Sequence, residues 1–259
     1  REAAEWDHAA IEKPVELSVR CWFKDKQETR ELGVLMRTPG HDSELVAGFL
    51  LSEGIITRES DIVEIRSGHE PVDPLAGVPV IVELSRQVDA EQVLQRSSQV
   101  SSSCGVCGRR GLPAPGAGVA DLRGKVKASV LNGLDKKVRE SQQDFSATGG
   151  IHAAALFTLE GQLQLVREDV GRHNAVDKVI GSQLLAGKLP LDDRLLFATS
   201  RSSFDLVQKA LKARVPILAT IGAPSTLAVE VAERYELTLV GFLREGRFNV
   251  YSSPWRVTP

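Results

Sequence analysis

A regular alternation of strand and helix patterns over the second half of the chain constrains the fold more than any other feature. Apolar strand-like runs occupy residues 151–159, 163–167, 194–199, 216–221, 237–242 and 247–251. Helical stripes cover residues 129–139, 173–186, 202–213 and 225–234. Because strands separated by helices pair in one sheet with the helices on its faces, this pattern predicts a layered α/β domain with a largely parallel sheet.

The first half of the chain predicts a smaller domain of mixed strands and a helix. Strict alternation of apolar residues over residues 14–23 predicts a half-buried strand, with residues 33–37 as its partner. Cys21 falls on the apolar face of that strand, so we expect it to be an unreactive core side chain. Strands are also predicted over residues 61–66 and 78–84.

A helix is predicted over residues 42–53, with Asp42 or Ser43 as its N-cap and Gly54 as its C-terminal stop. A second, short helix is predicted over residues 89–96. Together these elements predict an N-terminal α+β domain over residues 1–96, followed by a flexible loop over residues 97–124 and by the α/β domain over residues 125–259.

Composition excludes several functional classes. The 259 residues carry 32 basic and 34 acidic side chains, a net charge of −2, which gives no general attraction to nucleic acid or anionic membranes. No apolar run approaches the roughly 18 residues of a membrane helix, and no signal peptide or lipidation signal is visible. Three cysteines are too few, and odd in number, for a disulfide framework, so we expect a cytoplasmic protein with reduced thiols.

Two of the cysteines, Cys104 and Cys107, form a Cys-x-x-Cys pair in the Ser-, Gly- and Pro-rich segment. Such a pair is half of a zinc site, a thioredoxin-type redox pair or a sulfur-transfer nucleophile with its neighbour. Zinc lacks two further ligands here, and thioredoxin-type pairs begin a helix after a strand rather than lying between glycines and serines. Since Arg109 and Arg110 favour the thiolate form, we interpret the pair as a functional thiol site.

Four arginines follow the strands of the α/β domain: Arg172, Arg201, Arg244 and Arg247. Ligands of open α/β sheets collect at the carboxyl ends of strands, and helix N-termini offer free N–H groups to anions. Because guanidinium groups bind phosphate in a bidentate manner, these residues predict a phosphate site. On an alternative interpretation, the arginines pair with Glu168, Asp169 or Asp205 on a solvated surface.

Neighbouring polar residues add to that site. Ser202, Ser203 and Ser225 offer hydroxyl groups, and His173 lies at a predicted helix start. His152 follows a Gly-Gly turn beside an apolar run, where a histidine is more often a core residue than a functional one.

Several segments, taken together, resemble the FdhD family, the formate dehydrogenase accessory sulfurtransferases. They run in order over most of the chain: TPGHDSELVAGFLLSEGII, CGVCG, TGGIHAAAL, REDVGRHNAVDKVIG, TSRSSFDLVQKA and LAVEVAERYELTLVGFLREGRFNVY. The resemblance implies a cytidine-deaminase-like fold for the C-terminal half and a homodimer. It also implies that the protein takes sulfur from a cysteine desulfurase and passes it to the bis-molybdopterin guanine dinucleotide cofactor that formate dehydrogenase requires.

By the same resemblance, Cys104 is the cysteine that carries the persulfide and Cys107 is its companion. The family's cofactor-binding segment matches Phe242, Leu243, Arg244, Glu245, Gly246 and Arg247. With these we group the residues found from strand ends, Arg172, His173, Arg201 and Ser202, as the expected cofactor site. GDP or GTP should act as a partial mimic of the cofactor.

The sequence also bears on three functions other than sulfur transfer. A zinc deaminase needs a His-x-Glu sequence, and no histidine of this chain has glutamate two residues later, so hydrolytic deamination is disfavoured and no metal is expected. A non-covalent cofactor carrier and a thiol-disulfide oxidoreductase remain alternatives. The Cys104→Ala variant separates the carrier, which does not need the thiol, from the sulfur relay.

Overall fold

The computed structural model describes residues 7–86, 88–89, 93, 124–244 and 246–259. Its strands are β1 (Lys13–Phe23), β2 (Lys26–Arg37), β3 (Ile62–Ser67), β4 (Val78–Leu84), β5 (Val126–Lys127), β6 (His152–Thr158), β7 (Leu163–Asp169), β8 (Arg194–Ala198), β9 (Ile217–Thr220), β10 (Thr238–Arg244), β11 (Arg247–Val250) and β12 (Val257–Thr258). Its helices are α1 (Asp42–Glu53), α2 (Ala128–Leu131), α3 (Leu134–Ser141), α4 (Gln143–Thr148), α5 (Arg172–Leu185), α6 (Phe204–Lys212) and α7 (Thr226–Arg234).

The strands form two larger sheets and one small one. The first has four strands in the order β2-β1-β4-β3, and the second has six in the order β11-β10-β9-β8-β6-β7, while β5 and β12 form a separate pair. Helices cover both faces of the six-stranded sheet. The predicted α/β fold class is therefore confirmed.

The prediction of a largely parallel sheet was wrong, because the six-stranded sheet is mixed. Its two central pairings, β8 with β9 and β9 with β10, are parallel, whereas β6–β7, β6–β8 and β10–β11 are antiparallel. The tight turn at Gly161, with φ of +80°, folds β6 and β7 into a hairpin. After α5 the chain passes over β6 and places β8 on its other side, so β6 runs against both of its neighbours.

Side chains of the six-stranded sheet alternate between two cores. Ala154 and Leu156 of β6 face the core that α5, α6 and α7 cover, whereas Ala153, Ala155 and Phe157 face the core that α2 and α3 cover. The core beneath α5 continues without a break to the four-stranded sheet. The two regions therefore share one core, and the domain boundaries at residues 96 and 125 stay a prediction.

Helix α1 is the element through which this shared core passes. Every residue from Leu45 to Ser52 is buried, as expected of a helix that is covered on all sides. The apolar face of β1, which includes the buried Cys21, packs in the same core as α1 and α5. The predicted core position of Cys21 is confirmed.

Two details of the predicted helices changed, and a third prediction is untested. The N-cap of α1 is His41, in the left-handed region, rather than Asp42 or Ser43, whereas Gly54 ends the helix as expected. The single helix predicted over residues 129–139 is two helices, since the chain breaks at Asn132–Gly133, two residues of low helix propensity. The helix predicted over residues 89–96 lies mostly outside the described residues.

Two glycines allow α1 and α5 to cross at close range. A methyl group on Gly48 would lie 2.0 Å from the carbonyl oxygen of Asp177, and one on Gly181 would lie 1.8 Å from that of Glu44. Real carbon atoms never approach a carbonyl oxygen so closely. The helix backbones can therefore meet only where both residues lack a side chain.

We expect the Gly181→Ala variant to lose about 2 kcal/mol or more of unfolding free energy, because the helices must separate and their packing with β1 and β4 must loosen. Urea denaturation measures the loss. Gly133→Ala is the matched control, since Gly133 has φ of −117° and no atom lies within 4 Å of its added methyl group. Equal losses in the two variants would contradict the close crossing.

Candidate functional site

The candidate site lies at the edge of the six-stranded sheet where β8, β9 and β10 end and β6 begins. Backbone bonds join the loops there: the Ser202 N–H donates to the Ala223 carbonyl at 3.2 Å, and the Phe242 N–H donates to the Gly222 carbonyl at 3.1 Å. The imidazole Nδ1 of His152 lies 3.4 Å from the Thr199 carbonyl oxygen. These bonds bring the strand-end segments together, as expected for parallel neighbours.

A cavity of about 740 Å³, here called the sheet-edge cavity, opens between this edge and helices α3 and α4. Its volume lies within the range of sites for small molecules and cofactors. Basic side chains line both sides of the sheet-edge cavity, with one carboxylate among them. The lining residues are Asp135, Lys136, Arg139, Gln142, Phe145, Gly149, Gly150, Ile151, His152, Thr199, Ile221 and Arg244.

Arg244 lines the sheet-edge cavity and also a smaller cavity of about 340 Å³ beside it, here called the strand-turn cavity. The strand-turn cavity has two arginines, Arg244 and Arg247, which face each other across the β10–β11 ladder. Two aromatic rings and Asn249 complete its wall. The two arginines are thus neighbours, while Glu245 between them lies outside the described residues.

The segment around Phe242 shows why the two arginines lie at the rim. The β10–β11 register shifts between Gly241 and Arg244, and Phe242 adopts a φ of +54°, which a bulky residue rarely occupies. Phe242 is 39 % exposed at the strand-turn cavity, whereas Leu243 is buried in the core. Gly246, with φ of +74°, makes the turn.

Arg172 and His173 begin α5 and lie close enough to His152 to interact with it electrostatically, but neither is among the residues that line the two cavities. His173 is 4 % exposed, and burial lowers its pKa to about 3, with Lys209 and Arg172 adding to the effect. Burial likewise lowers the pKa of His152, and the charge of Arg172 lowers it further. Both imidazoles are therefore neutral at pH 7, so the positive charge near this side of the cavity comes from Arg172.

Arg201 and Ser202 follow β8 and differ in their exposure to solvent. Arg201 is exposed, and a methyl group on Gly222 would lie 2.9 Å from its Cα atom, so the two backbones touch. Ser202 is buried, and its hydroxyl lies 2.6 Å from that of Thr220. Ser202 therefore ties the ends of β8 and β9 together, and Arg201 is the member of the pair that solvent reaches.

Two of the three carboxylates that could neutralise the arginines have other partners. Asp169 pairs with Lys178 at 2.7 Å, and Glu168 accepts the Asp144 and Phe145 N–H groups at the start of α4. Asp205 is different: burial raises the pKa of its carboxyl, and the charges of Lys209 and Arg172 lower it. The contacts of Asp169 and Glu168 therefore weaken the alternative in which the arginines merely pair on a solvated surface, whereas Arg172 does interact with Asp205.

Much of the DVGRHNAVDK segment holds the two sheets together. Asp169 accepts the Thr38 N–H at 3.1 Å, and Asn174 donates to Asp169 and to the Met36 carbonyl. Lys178 donates to the Thr38 carbonyl at 2.9 Å. Asp177, one residue before Lys178, accepts hydrogen bonds from Lys209 at 2.7 Å and from Ser52 at 2.8 Å. These residues are buried and structural. Arg172, on the same segment, is not among the residues that line the two cavities, although its charge acts on His152, which lines the larger one.

Sequence reasoning missed one whole wall of the sheet-edge cavity. Lys136, Arg139 and Gln142 come from α3 and the residue after it, and Phe145 comes from α4. The charged face of the LDKKVRES segment, opposite the buried Leu134 and Val138, was the available signal. A charged helix face is typical of an exposed surface, and nothing local in the sequence shows that this one faces the sheet edge.

The predicted thiol site, Cys104 and Cys107, lies outside the described residues. Within the part of the chain that the structure describes, no three His, Cys, Asp or Glu side chains are grouped as metal ligands. The described helices are also all too short or too polar to cross a membrane.

Comparison with known proteins gives the family. The model of the FdhD/NarQ family matches residues 10–258. The chain belongs to this family. Two FdhD/NarQ relatives carry the name "Sulfur carrier protein FdhD". The one from Sulfurisphaera tokodaii is 41 % identical, over 99 % of this chain and 94 % of that protein, and the one from Nocardia farcinica is 42 % identical, over 97 % and 88 %.

A solved structure is similar over nearly the whole chain. It is the crystal structure of a protein described as a formate dehydrogenase accessory protein from Desulfotalea psychrophila. The TM-score is 0.71 and the identity is 28 %, over 97 % of this chain and 91 % of that one. The fold described here is therefore an FdhD/NarQ fold, and the resemblance found from motifs is confirmed at the level of the family.

Stability should depend on pH through His173. In the unfolded chain this histidine binds a proton below pH 6.5, whereas the buried imidazole binds one only near pH 3. The unfolding free energy therefore falls as the pH falls from 6.5 towards 3. We expect His173→Gln to remove up to about 1.4 kcal/mol per pH unit of this slope. Denaturation between pH 7 and pH 4 measures it, with exposed His69→Gln as the control. Parallel curves for wild type and His173→Gln would contradict the assignment.

Proposed function

We propose that this protein is a sulfur carrier that serves a formate dehydrogenase, accepting sulfur on Cys104 and delivering it to a bis-molybdopterin guanine dinucleotide bound at the sheet edge. The names of its FdhD/NarQ relatives and of the similar structure support the carrier role and the client. The CGVCG segment supplies a thiol of the required type. A cysteine desulfurase is the proposed donor, the cytoplasm the proposed compartment, and a homodimer the proposed assembly.

The observation that carries the proposal is the sheet-edge cavity with its basic lining. A nucleotide cofactor presents phosphates, and Arg244, Lys136 and Arg139 present cations from two sides of a space large enough for a nucleotide. The charge of Arg172 acts on His152, which lines the same cavity. Arg247 and Phe242 extend the same surface into the strand-turn cavity.

Loading of sulfur is a thiol exchange without net oxidation. The Cys104 thiolate attacks the terminal sulfur of the desulfurase persulfide, a new S–S bond forms at Cys104, and the desulfurase cysteine leaves as a thiolate. The thiolate is the reactive form, and Arg109 and Arg110 favour it. A persulfide is more acidic than a thiol, so the loaded sulfur is anionic and is attracted to a basic cavity.

Delivery of the sulfur as sulfide requires two electrons. A second thiol supplies them when it attacks the Cys104 sulfur, forms a disulfide with it and releases the terminal sulfur as hydrosulfide. Cys107 is the nearest candidate in the sequence for this second thiol. This assignment gives the Cys-x-x-Cys spacing a chemical purpose that a single carrier cysteine would not need.

Incubation with a desulfurase and cysteine should add one sulfur atom to Cys104, as mapped by mass spectrometry of the intact and digested protein. Cys21 is an internal control, because burial raises the pKa of its thiol and it should gain no sulfur. The Cys104→Ala variant should gain none and should fail to mature the client. An unmodified Cys104 in the wild type would contradict the covalent route.

A non-covalent cofactor carrier is the second candidate, favoured by the cavity itself, which needs no thiol to bind a nucleotide. The two candidates differ in one result: a carrier without covalent chemistry matures the client when Cys104 is alanine, and a sulfur relay does not.

GDP, as part of the cofactor, should bind the wild type, and Arg244→Ala should weaken binding by about tenfold, since a charge-assisted phosphate contact contributes on the order of 1.5–3 kcal/mol. Isothermal titration measures the affinity. Arg66→Ala removes an exposed arginine of β3, in the other sheet, and should bind GDP like the wild type. Equal affinity in Arg244→Ala and wild type would place the nucleotide elsewhere.

A further inference from the structure

The wall of the sheet-edge cavity opposite the sheet carries a stacked pair of planar side chains. The guanidinium carbon of Arg139 lies 3.9 Å from the centroid of the Phe145 ring, and both residues line the cavity. Phe145 covers one face of the guanidinium plane. Arg139 is exposed and Phe145 half-buried, so a flat group inside the cavity can reach the pair.

Backbone bonds fix the segments that carry the pair before any ligand arrives. The Phe145 N–H donates to the Glu168 carboxylate at 2.9 Å, and the Phe145 carbonyl accepts the Gly149 N–H at 2.8 Å. The Arg139 carbonyl accepts the Gln142 N–H at 3.3 Å. Because the main chain under both side chains is held in this way, it needs no ordering when a ligand stacks on the pair.

Arg139 brings a positive charge to a cavity whose lining includes one carboxylate, that of Asp135. Within the described part of the chain, no carboxylate forms an ion pair with it, whereas its neighbour Lys136 lies 3.9 Å from Glu140. A stacked guanidinium that keeps its charge attracts the electron-rich face of a heterocycle as well as any anion nearby. The wall thus suits a molecule that joins a flat ring to phosphates.

We propose that Arg139 and Phe145 form a stacking shelf for the planar base of a nucleotide whose phosphates reach Arg244 on the opposite side of the cavity. This assignment rests on the proposed function and goes beyond it, because it divides the cavity into a base side, built by α3 and α4, and a phosphate side, built by the sheet edge. Neither Arg139 nor Phe145 belongs to the motifs that suggested the site.

The shelf predicts that the base and the phosphates respond to different substitutions. Arg139→Lys keeps the charge and loses the plane, so it should weaken GDP binding by about tenfold and leave the binding of inorganic pyrophosphate unchanged. Phe145→Leu should do the same, since it removes the ring that orients the guanidinium. Arg244→Ala should weaken both probes.

Isothermal titration with GDP and with pyrophosphate tests this, together with thermal unfolding to compare the stability of the variants. Lys137→Ala is the matched control: it lies on the same helix, carries the same charge and donates to the Gly161 carbonyl rather than lining the cavity. If the Phe145→Leu variant does not fold, the binding measured with Arg139→Lys tests the shelf by itself. A loss of guanine absorbance on binding, present in wild type and reduced in Arg139→Lys, would confirm stacking.

The possible failures are distinguishable. Undiminished GDP binding in Arg139→Lys, with binding still dependent on Arg244, would overturn the shelf and leave the nucleotide site in place. Equal weakening of GDP and pyrophosphate in Arg139→Lys would also overturn it, by showing a phosphate contact. If the wild type binds neither GDP nor pyrophosphate, that result contradicts the nucleotide site itself, and the shelf with it.

Discussion

The close crossing of α1 and α5 is the constraint on which the rest of the structure depends. Gly48 and Gly181 let the two helix backbones meet, and the buried Asp177 then reaches Lys209 of α6 and Ser52 of α1 at the same level. Breaking one member of such a buried pair typically costs about 3–5 kcal/mol, because the remaining charge is left without a partner. The crossing therefore fixes where α5 begins, and with it the position of Arg172 near His152.

The segment that begins α5 has two purposes, and this explains why it resembles a functional motif so closely. Asp169, Asn174 and Lys178 bond to the strand-end segment around Thr38, which anchors the four-stranded sheet against the six-stranded one. Arg172, within the same ten residues, acts through its charge on His152, which lines the cavity. Structure and function thus place independent demands on adjacent positions, and a sequence pattern alone cannot separate them.

Local sequence patterns predicted the elements well: burial of one face imposes the alternation in β4, and Gly54 marks the end of α1. The bounds of α1 and β4 agree with the sequence pattern, and Cys21 is buried as expected. The order and direction of the strands were harder to predict, because a strand has the same residue pattern whether it runs parallel or antiparallel to its neighbour. The α3 wall was harder still: Arg139 and Arg244 are more than a hundred residues apart, and only the tertiary fold brings them to one cavity. The predicted sites at Cys104 and Cys107 rest on sequence and family resemblance.

The burial of α1 on all sides has a consequence for how this polypeptide can be divided. A fragment that ends before residue 94 would expose the surface of α1 that meets α5, and a fragment that begins after residue 123 would expose the matching surface of α5. Each would present half of one apolar interface, with glycine contacts and buried charges that only the other half completes. Co-expressed, the two pieces should associate as a complementing pair, which would make the protein a candidate for split reporters.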